Sequence, residues 1–384
     1  MRRVAVIGVG VTKFGKHDRP SAQLFAEAAR EAIEDAGIAP SRIQALYYGN
    51  VTGGESERQL HMGPLAATLL GLPTIPTTRF ETACASSHAA FRHAVMEIAA
   101  GISDIVLVGG GERVLNVPTA DSTEYFAYAS DATWEQPLGL TFPGVFALVA
   151  RAHMAKHGTT EEQMAAVAVK NHKHGTMNPK AQFQKEITLE MVMKSAYVAD
   201  PLKLYDCCPF TDGGAAVVLA SEEVARKHRR AVWVLGTAAA SDSMLLGDKK
   251  DLSRVTATER AAKAAYQQAG KSPADVDVVE LHDCFTIAEI VATEGLGLFE
   301  PGAGGIAAER GWTSLGGKVP VNPSGGLKSK GHPIGATGAA QIAEIVTQLR
   351  HDAGPRQVDG ACVGLTHTLG GNTATVLVSL FGRD

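Results

Sequence analysis

The sequence predicts an α/β protein built from two related halves, each rich in βαβ units, with a long insertion in the first half. Three observations carry that expectation. Apolar strand-like runs alternate with helix-period segments along the chain, one such unit occurs twice, and between residues 114 and 200 the alternation loosens around Pro118, Pro137, Pro143 and Pro179. The 384 residues, 45% hydrophobic and 20% charged, supply material for two or three domains or for one fold of two fused halves. A formal net charge of −4 provides no positive field to hold a phosphate backbone, so nucleic acid is not an expected partner.

Taken in order, the first element is the strand VAVIGVG at 4–10. The arginines before it imitate a signal peptide, but the apolar run is short and ends at Lys13 without a small-residue cleavage site, so a buried strand is expected. Next, residues 28–46 (AAREAIEDAGIAPSRIQAL) align without gaps on 261–279 (AAKAAYQQAGKSPADVDVV). Ala28, Ala29, Ala32, Ala36, Gly37 and Pro40 recur as Ala261, Ala262, Ala265, Ala269, Gly270 and Pro273. Each copy reads as an alanine-rich helix stopped by glycine, then a turn, then a strand. VWVLGTA at 232–238 answers the first strand. Further along, Cys84 precedes a helix and the strand at 104–108, as Gly331-His332-Pro333 precedes a helix and the strand at 361–365. Equating Ala89-Ala90 with Ala339-Ala340 gives Cys84 and His332 almost matching places at the two helix starts, which a pseudo-twofold axis could bring together.

The predicted units are therefore 1–227, containing the inserted cap at about 114–200, and 228–384, with mostly parallel, sandwiched sheets. No apolar stretch approaches the roughly 20 residues that span a bilayer, so no membrane association is expected. Cys84, Cys207, Cys208, Cys284 and Cys362 are odd in number and contain no repeated CxxC pair. That excludes a disulfide framework and a zinc motif, and it predicts a reduced, cytoplasmic protein without a metal.

Four motifs carry the candidate chemistry. In Glu81-Thr-Ala-Cys-Ala-Ser-Ser-His88, Cys84 opens a helix whose free N–H groups and dipole favour a thiolate, the competing reading being a buried structural cysteine. Residues 322–338 (NPSGGLKSKGHPIGATG) surround His332 with glycines that permit close ligand approach, which makes His332 a candidate base. Glu280-Leu-His282-Asp-Cys284-Phe285 ends a strand, placing His282 and Cys284 where open α/β sheets bind ligands. Gly370 and Gly371, after His367, offer backbone donors to an oxyanion or form a plain hairpin. Other patterns fail: GVGVTK at 8–13 lacks the third glycine of a dinucleotide turn, His153 and His157 without HExxH read as a solvated face, and Cys207-Cys208 reads as packing.

The combination of ETACASSHAA, HDCF, NPSGGLKSKGHPIGATG and a glycine-rich final hairpin resembles the thiolase family over essentially the whole chain. HDCF in place of NEAF, and the absence of a CxG motif near the C-terminus, make it similar to the sterol-carrier-protein and archaeal thiolases. The resemblance implies a five-layer α-β-α-β-α arrangement with an inserted loop domain. By motif it implies Cys84 as the acylated nucleophile, His332 as its activator, Cys284 as proton donor and acceptor, and His282 in an oxyanion hole. The acyl oxygen would face backbone N–H groups of Cys84, Gly370 and Gly371.

The implied reaction is CoA-dependent cleavage of a 3-oxoacyl-CoA, or the reverse Claisen condensation, with CoA as a substrate and no permanently bound cofactor. Acetoacetyl-CoA and bulkier 3-oxoacyl-CoAs such as benzoylsuccinyl-CoA are the expected substrates. Competing functions are a ketosynthase, a thiolase-like retro-aldolase acting on a CoA thioester, and a non-catalytic acyl-CoA-binding subunit. In the insertion, Arg151, Lys156, Lys170, Lys173, Lys180 and Lys185 suit CoA phosphates or a solvated face. Phe142, with Tyr125, Phe126, Tyr128, Trp134 and Phe146, suits an acyl pocket or cap packing, and Ser324 and Gly325 are candidate substrate contacts. A homodimer is expected, with a separate small zinc-ribbon/OB-fold acyl-CoA-binding subunit as a further partner.

Overall fold

A computed structural model describes residues 2–383. Its strands are β1 (Val4–Val11), β2 (Ala45–Gly49), β3 (Thr77–Phe80), β4 (Ile105–Glu112), β5 (Tyr197–Ala199), β6 (Leu202–Lys203), β7 (Gly213–Ser221), β8 (Val232–Ser241), β9 (Val278–Glu280), β10 (Val363–Gly370) and β11 (Thr375–Gly382). Apart from the small β5–β6 pair, they form one hydrogen-bonded sheet in the order β3-β2-β4-β7-β1-β8-β11-β10-β9. That order is a palindrome about the β1–β8 junction, which consists of the pairs Ala5–Trp233 and Val6–Val232. The parallel bridge from Val279 to Val321 supplies the second half's counterpart of β3. The duplicated sequence is thus a duplicated topology. Each alanine-rich helix (Ser21–Asp35 and Thr256–Ala269) is followed by a glycine near φ +60° and a short 3-10 turn at Pro40–Arg42 or Pro273–Asp275.

The small residues of the repeat have a steric cause. A Cβ on Gly8 or Gly10 would stand 2.0 or 2.1 Å from the carbonyl oxygen of Ala32 or Ala28, so this strand and helix pack backbone to backbone. Gly236 meets the Ala265 carbonyl in the same way in the second half.

Period-two alternation divides the strands between layers. Ala5, Ile7, Leu46, Leu107 and Val218 face the outer Ser21–Asp35 helix. Val4, Val6, Val106, Val108 and Val217 face inward, against Phe91, Ala94 and Ile98 of the Ser86–Ala100 helix and Ile342, Ile345 and Val346 of the Thr337–Leu349 helix. The central pair of helices also meets Val278 and Phe381 of the second half, and the Thr256–Ala269 helix covers that half's far face. This is the duplicated, layered α/β arrangement expected from the sequence. Pairing departs from the mostly parallel expectation: among the described strand pairs, isolated bridges apart, only β2–β3, β2–β4 and β9–β10 are parallel. β10 and β11 are joined by a hairpin and β7 returns antiparallel after the insertion, so helical crossovers serve only the flanks.

The insertion packs on the second half. Its helices Phe142–His157 and Glu161–Gly175 place Val145, Phe146, Val149, Met164 and Val167 in one core with Leu281, Phe285 and Ile287. Phe146 stacks on Phe285 at 4.7 Å between centroids. His153 corrects the solvated-face expectation: it is wholly buried, with its ring nitrogens on Thr159 Oγ1 (2.7 Å) and Glu294 Oε2 (3.1 Å), because its helix face packs against the Thr286–Gly295 helix. No helix among the described residues is long and apolar enough to cross a membrane.

Candidate active site

Cys84 stands two residues before the Ser86–Ala100 helix on a sharp turn. Ala83 adopts φ +49°, a left-handed conformation costing a non-glycine residue roughly 1–2 kcal/mol. Ser86 clamps the turn: its hydroxyl donates to the Ala83 carbonyl at 2.6 Å and accepts from the Thr82 N–H at 3.0 Å. Burial pushes the Cys84 thiol up to about 12, while the Gly371 and Cys84 N–H groups, both aimed at the sulfur, oppose the rise.

The two central helices meet at their N-termini. The Ala339 N–H donates to Ser87 Oγ at 3.0 Å, and a Cβ on Gly338 would stand 2.6 Å from the His88 backbone nitrogen. This abutment delivers His332, five residues before its helix, to Cys84. The Cys84 sulfur and a ring nitrogen each of His282 and His332 lie within 4.8 Å of one another. The His282 and His332 rings cross edge to face, with centroids 5.0 Å apart.

Hydrogen bonding assigns the His332 tautomer. Thr337 Oγ1 donates to the Pro333 carbonyl at 3.1 Å, so at 2.7 Å it can only accept from His332 Nδ1–H. The Nε2 lone pair is then free to take a proton. Burial holds His332 at about 3, so thiol and imidazole rest as a neutral pair. Both nitrogens of His282 are buried without a hydrogen-bond partner among the described residues. Burial, reinforced by His332 and His367, holds its imidazole well below the usual range and therefore neutral.

Cys284 is buried beside these groups. Burial raises its thiol far above the ordinary range, with further contributions from Cys208, Cys84 and Asp283. The Cys207-Cys208 segment pins this stretch: Cys207 bridges Phe285, and the Cys208 N–H donates to the Cys284 carbonyl at 2.9 Å. Asp283, between the two singled-out residues of HDCF, accepts from Asn171 Nδ2 and the Leu327 N–H, both at 2.7 Å, tying the insertion to the turn before His332. His367 turns Nε2 toward Thr258 Oγ1 at 3.0 Å.

Several expected ligand contacts have other employment. Lys170 is a correction: its ammonium is buried against Glu289 Oε1 and the Val321 carbonyl, both at 2.8 Å, and cannot reach a phosphate. Ser324 is another, because its hydroxyl donates to Glu280 Oε2 at 2.7 Å in a fully buried site. Gly325 lies at φ +99°, with a Cβ position 2.7 Å from Gly175 Cα, so it serves a backbone crossing. Gly370 likewise lets β10 pass Thr82, whose carbonyl a Cβ would meet at 2.2 Å. Arg151, Lys156 and Lys180 pair with Asp200, Asp251 and Glu31. Lys173 remains exposed, and Phe142 is half-buried against the outer core.

Sequence reasoning missed Glu112 and Thr337. Buried Glu112 at the end of β4 accepts at Oε1 from Asn50 Nδ2 (2.9 Å), the Thr52 N–H (3.0 Å) and Thr52 Oγ1 (2.9 Å), and at Oε2 from the N–H groups of Val51 (2.9 Å) and Gly335 (3.0 Å). It therefore holds the His332 loop across the two halves. An acid directly after the glycines of a buried strand was the available signal. A cavity of about 660 Å³ lies alongside, lined by Ala83, Gly371, Tyr125, Tyr128, Met244 and Arg79 among others.

Comparison with known proteins gives the family of the chain. Residues 4–223 match the family model described as thiolase, N-terminal domain, and 238–383 match the one described as thiolase C-terminal domain-like. The chain is 48% identical to an acetyl-CoA acetyltransferase of Methanothermobacter thermautotrophicus, covering 100% of both chains. It is 39% identical to sterol carrier protein 2 of Bos taurus, over 98% of this chain and 71% of that one. It is 38% identical to the benzoylsuccinyl-CoA thiolase subunit BbsB of Thauera aromatica, over 96% and 95%. Among solved structures, the Ltp2-ChsH2(DUF35) aldolase superposes with a TM-score of 0.85 at 28% identity, covering 100% of this chain and 98% of that one.

Proposed function

Because this chain belongs to the thiolase family, we propose that it transfers an acyl group through Cys84, cleaving a 3-oxoacyl-CoA with CoA or running the reverse Claisen condensation. The protein is an acyltransferase of the thiolase class. The observation that carries the assignment of roles is the convergence of Cys84, His332 and His282 within 4.8 Å at a helix start. In this reading His332 Nε2 takes the Cys84 proton as the sulfur attacks the 3-keto carbon, and the Cys84 and Gly371 N–H groups receive the oxyanion. Starting from a neutral pair, proton transfer and attack avoid a buried ion pair before substrate arrives. As the C2–C3 bond breaks, His332, now protonated, and His282 donate to the enolate oxygen of the departing CoA thioester. Cys284 delivers a proton to C2, its thiolate then takes the thiol proton of CoA as that sulfur attacks the acyl enzyme, and Cys84 departs as the thiol with the proton held by His332.

Acetoacetyl-CoA is the proposed substrate, supported by 48% identity to a protein named acetyl-CoA acetyltransferase. A bulkier acyl group such as benzoylsuccinyl is the second reading, favoured by the BbsB relative and by the aromatic-lined cavity beside Gly371. CoA release across a panel of 3-oxoacyl-CoAs, with mass spectrometry of Cys84, tests both. A retro-aldolase would cleave without acylating Cys84. Lys173 and Phe142 are the remaining proposed contacts to CoA. We place the protein in the reducing cytoplasm as a homodimer, in keeping with five unpaired cysteines and the outer sheet edge formed by β3. The DUF35-bearing structural neighbour supports a separate acyl-CoA-binding chain as a partner.

Two outcomes follow for residues around the thiol. Thr337→Val keeps the side-chain volume but leaves His332 Nδ1–H without its acceptor; kcat should fall about 10–100-fold with KM little changed. An unchanged kcat would remove Thr337 from the positioning role. Cys284→Ala should suppress deuterium exchange into the acetyl-CoA methyl group about 10²-fold or more, with acylation of Cys84 reduced far less. Equal loss of both steps would move the proton-transfer role to another residue.

A further inference from the structure

We propose that Cys84, His282 and His332 form a binding site for a soft divalent cation such as Zn²⁺, whose occupation blocks acylation reversibly. The binding itself stands on geometry alone; only the block rests on the acyl-transfer reading. The three donor atoms lie within 4.8 Å of one another, and among the described residues no other group of three His, Cys, Asp or Glu side chains converges this way. Tetrahedral zinc, with bonds of about 2.3 Å to sulfur and about 2.0–2.1 Å to nitrogen, separates its ligand atoms by roughly 3.5 Å. Ligation therefore requires the donor atoms to draw in from separations of up to 4.8 Å.

Three further features suit a metal. The Thr337 hydroxyl holds His332 Nδ1–H, which presents the Nε2 lone pair inward, as second-shell partners of metal-bound histidines do. Both His282 nitrogens are buried without partners among the described residues, and ligation would satisfy one of them. Cys84 is the one residue of the three with partial solvent exposure. One sulfur and two imidazoles favour zinc or cobalt over magnesium or calcium. On binding, the Cys84 S–H bond breaks, its proton passes to buffer, one metal–sulfur and two metal–nitrogen bonds form, and no electrons are transferred. A fourth position remains for water. Ligands at 84, 282 and 332 share no sequence spacing, so no motif announces them.

Anaerobic titration of the whole protein with Co²⁺ should give the sulfur-to-cobalt charge-transfer band and the intense visible bands of a tetrahedral ion, both reversed by Zn²⁺. Cys84→Ala should lose the charge-transfer band, Thr337→Val should weaken affinity about 10–100-fold, and Cys362→Ser, at an exposed thiol, should leave it unchanged. A measurement independent of variants is carboxymethylation of wild-type Cys84, followed by peptide mass spectrometry: saturating Zn²⁺ should slow it at least about tenfold, and a chelator should restore it. A band that survives in Cys84→Ala, or alkylation indifferent to Zn²⁺, overturns the site. No acyl-CoA enters these readouts, so failure of the acyl-transfer reading would leave them unmoved.

Discussion

Cys84→Ala should lower thiolytic and condensing turnover by at least about four orders of magnitude, while affinity for CoA stays within about twofold. The asymmetry follows from what the side chain contributes. In the proposed mechanism its sulfur is the atom that becomes acylated, whereas the turn presenting it is held by Ser86 and by backbone donors that the substitution leaves in place. Alanine also removes little contact area, so the fold and the neighbouring cavity should persist. Steady-state kinetics with acetoacetyl-CoA and CoA, together with intact-protein mass after incubation with an acyl-CoA, read out the prediction. The wild type should gain one acyl group and the variant none. Turnover near the wild-type rate in the variant would end the assignment of Cys84 as nucleophile.

What could be read from the sequence was set by how local the physics is. The duplicated helix-turn-strand unit was legible because its alanines and glycines answer a steric demand made within one half, the approach of Gly8 and Gly10 to the Ala28 and Ala32 carbonyls. The convergence of Cys84 and His332 was legible because they stand at nearly corresponding places before the two central helices, which a duplication relates by an axis. The antiparallel pairing of β7 was not, since an insertion longer than a normal crossover hides the direction in which the chain returns. Lys170 misled for a related reason: in the sequence it is one of several cations, and only the packed Glu161–Gly175 helix sets it opposite Glu289. His153 failed in the same way, its burial depending on a helix more than a hundred residues further along the chain.

Glu112 is the strongest case of a residue whose importance lies wholly in tertiary contacts, and Glu112→Gln should be the most damaging conservative change outside the reacting groups. Burial raises its carboxyl to about 7, against the donors that favour the ionised form. Every contact it makes uses an oxygen as acceptor. Glutamine must place an NH₂ at one of the two oxygen positions. At Oε2 it would oppose the Val51 and Gly335 N–H groups, and at Oε1 it would oppose Asn50 and both donors of Thr52. Either orientation leaves buried donors facing a donor, a loss of about 2–4 kcal/mol in stability. The cost should also reach the chemistry. Gly335 lies between His332 and Thr337, packed so closely that a Cβ on Gly110 would stand 2.0 Å from its carbonyl oxygen. Release of its N–H lets the loop shift, and displacement of a base by about 1 Å costs on the order of 10² in rate. Thermal unfolding and kcat measured on the same preparation test this account. A melting temperature and kcat both within error of wild type would show that the link between the two halves does not set the position of His332.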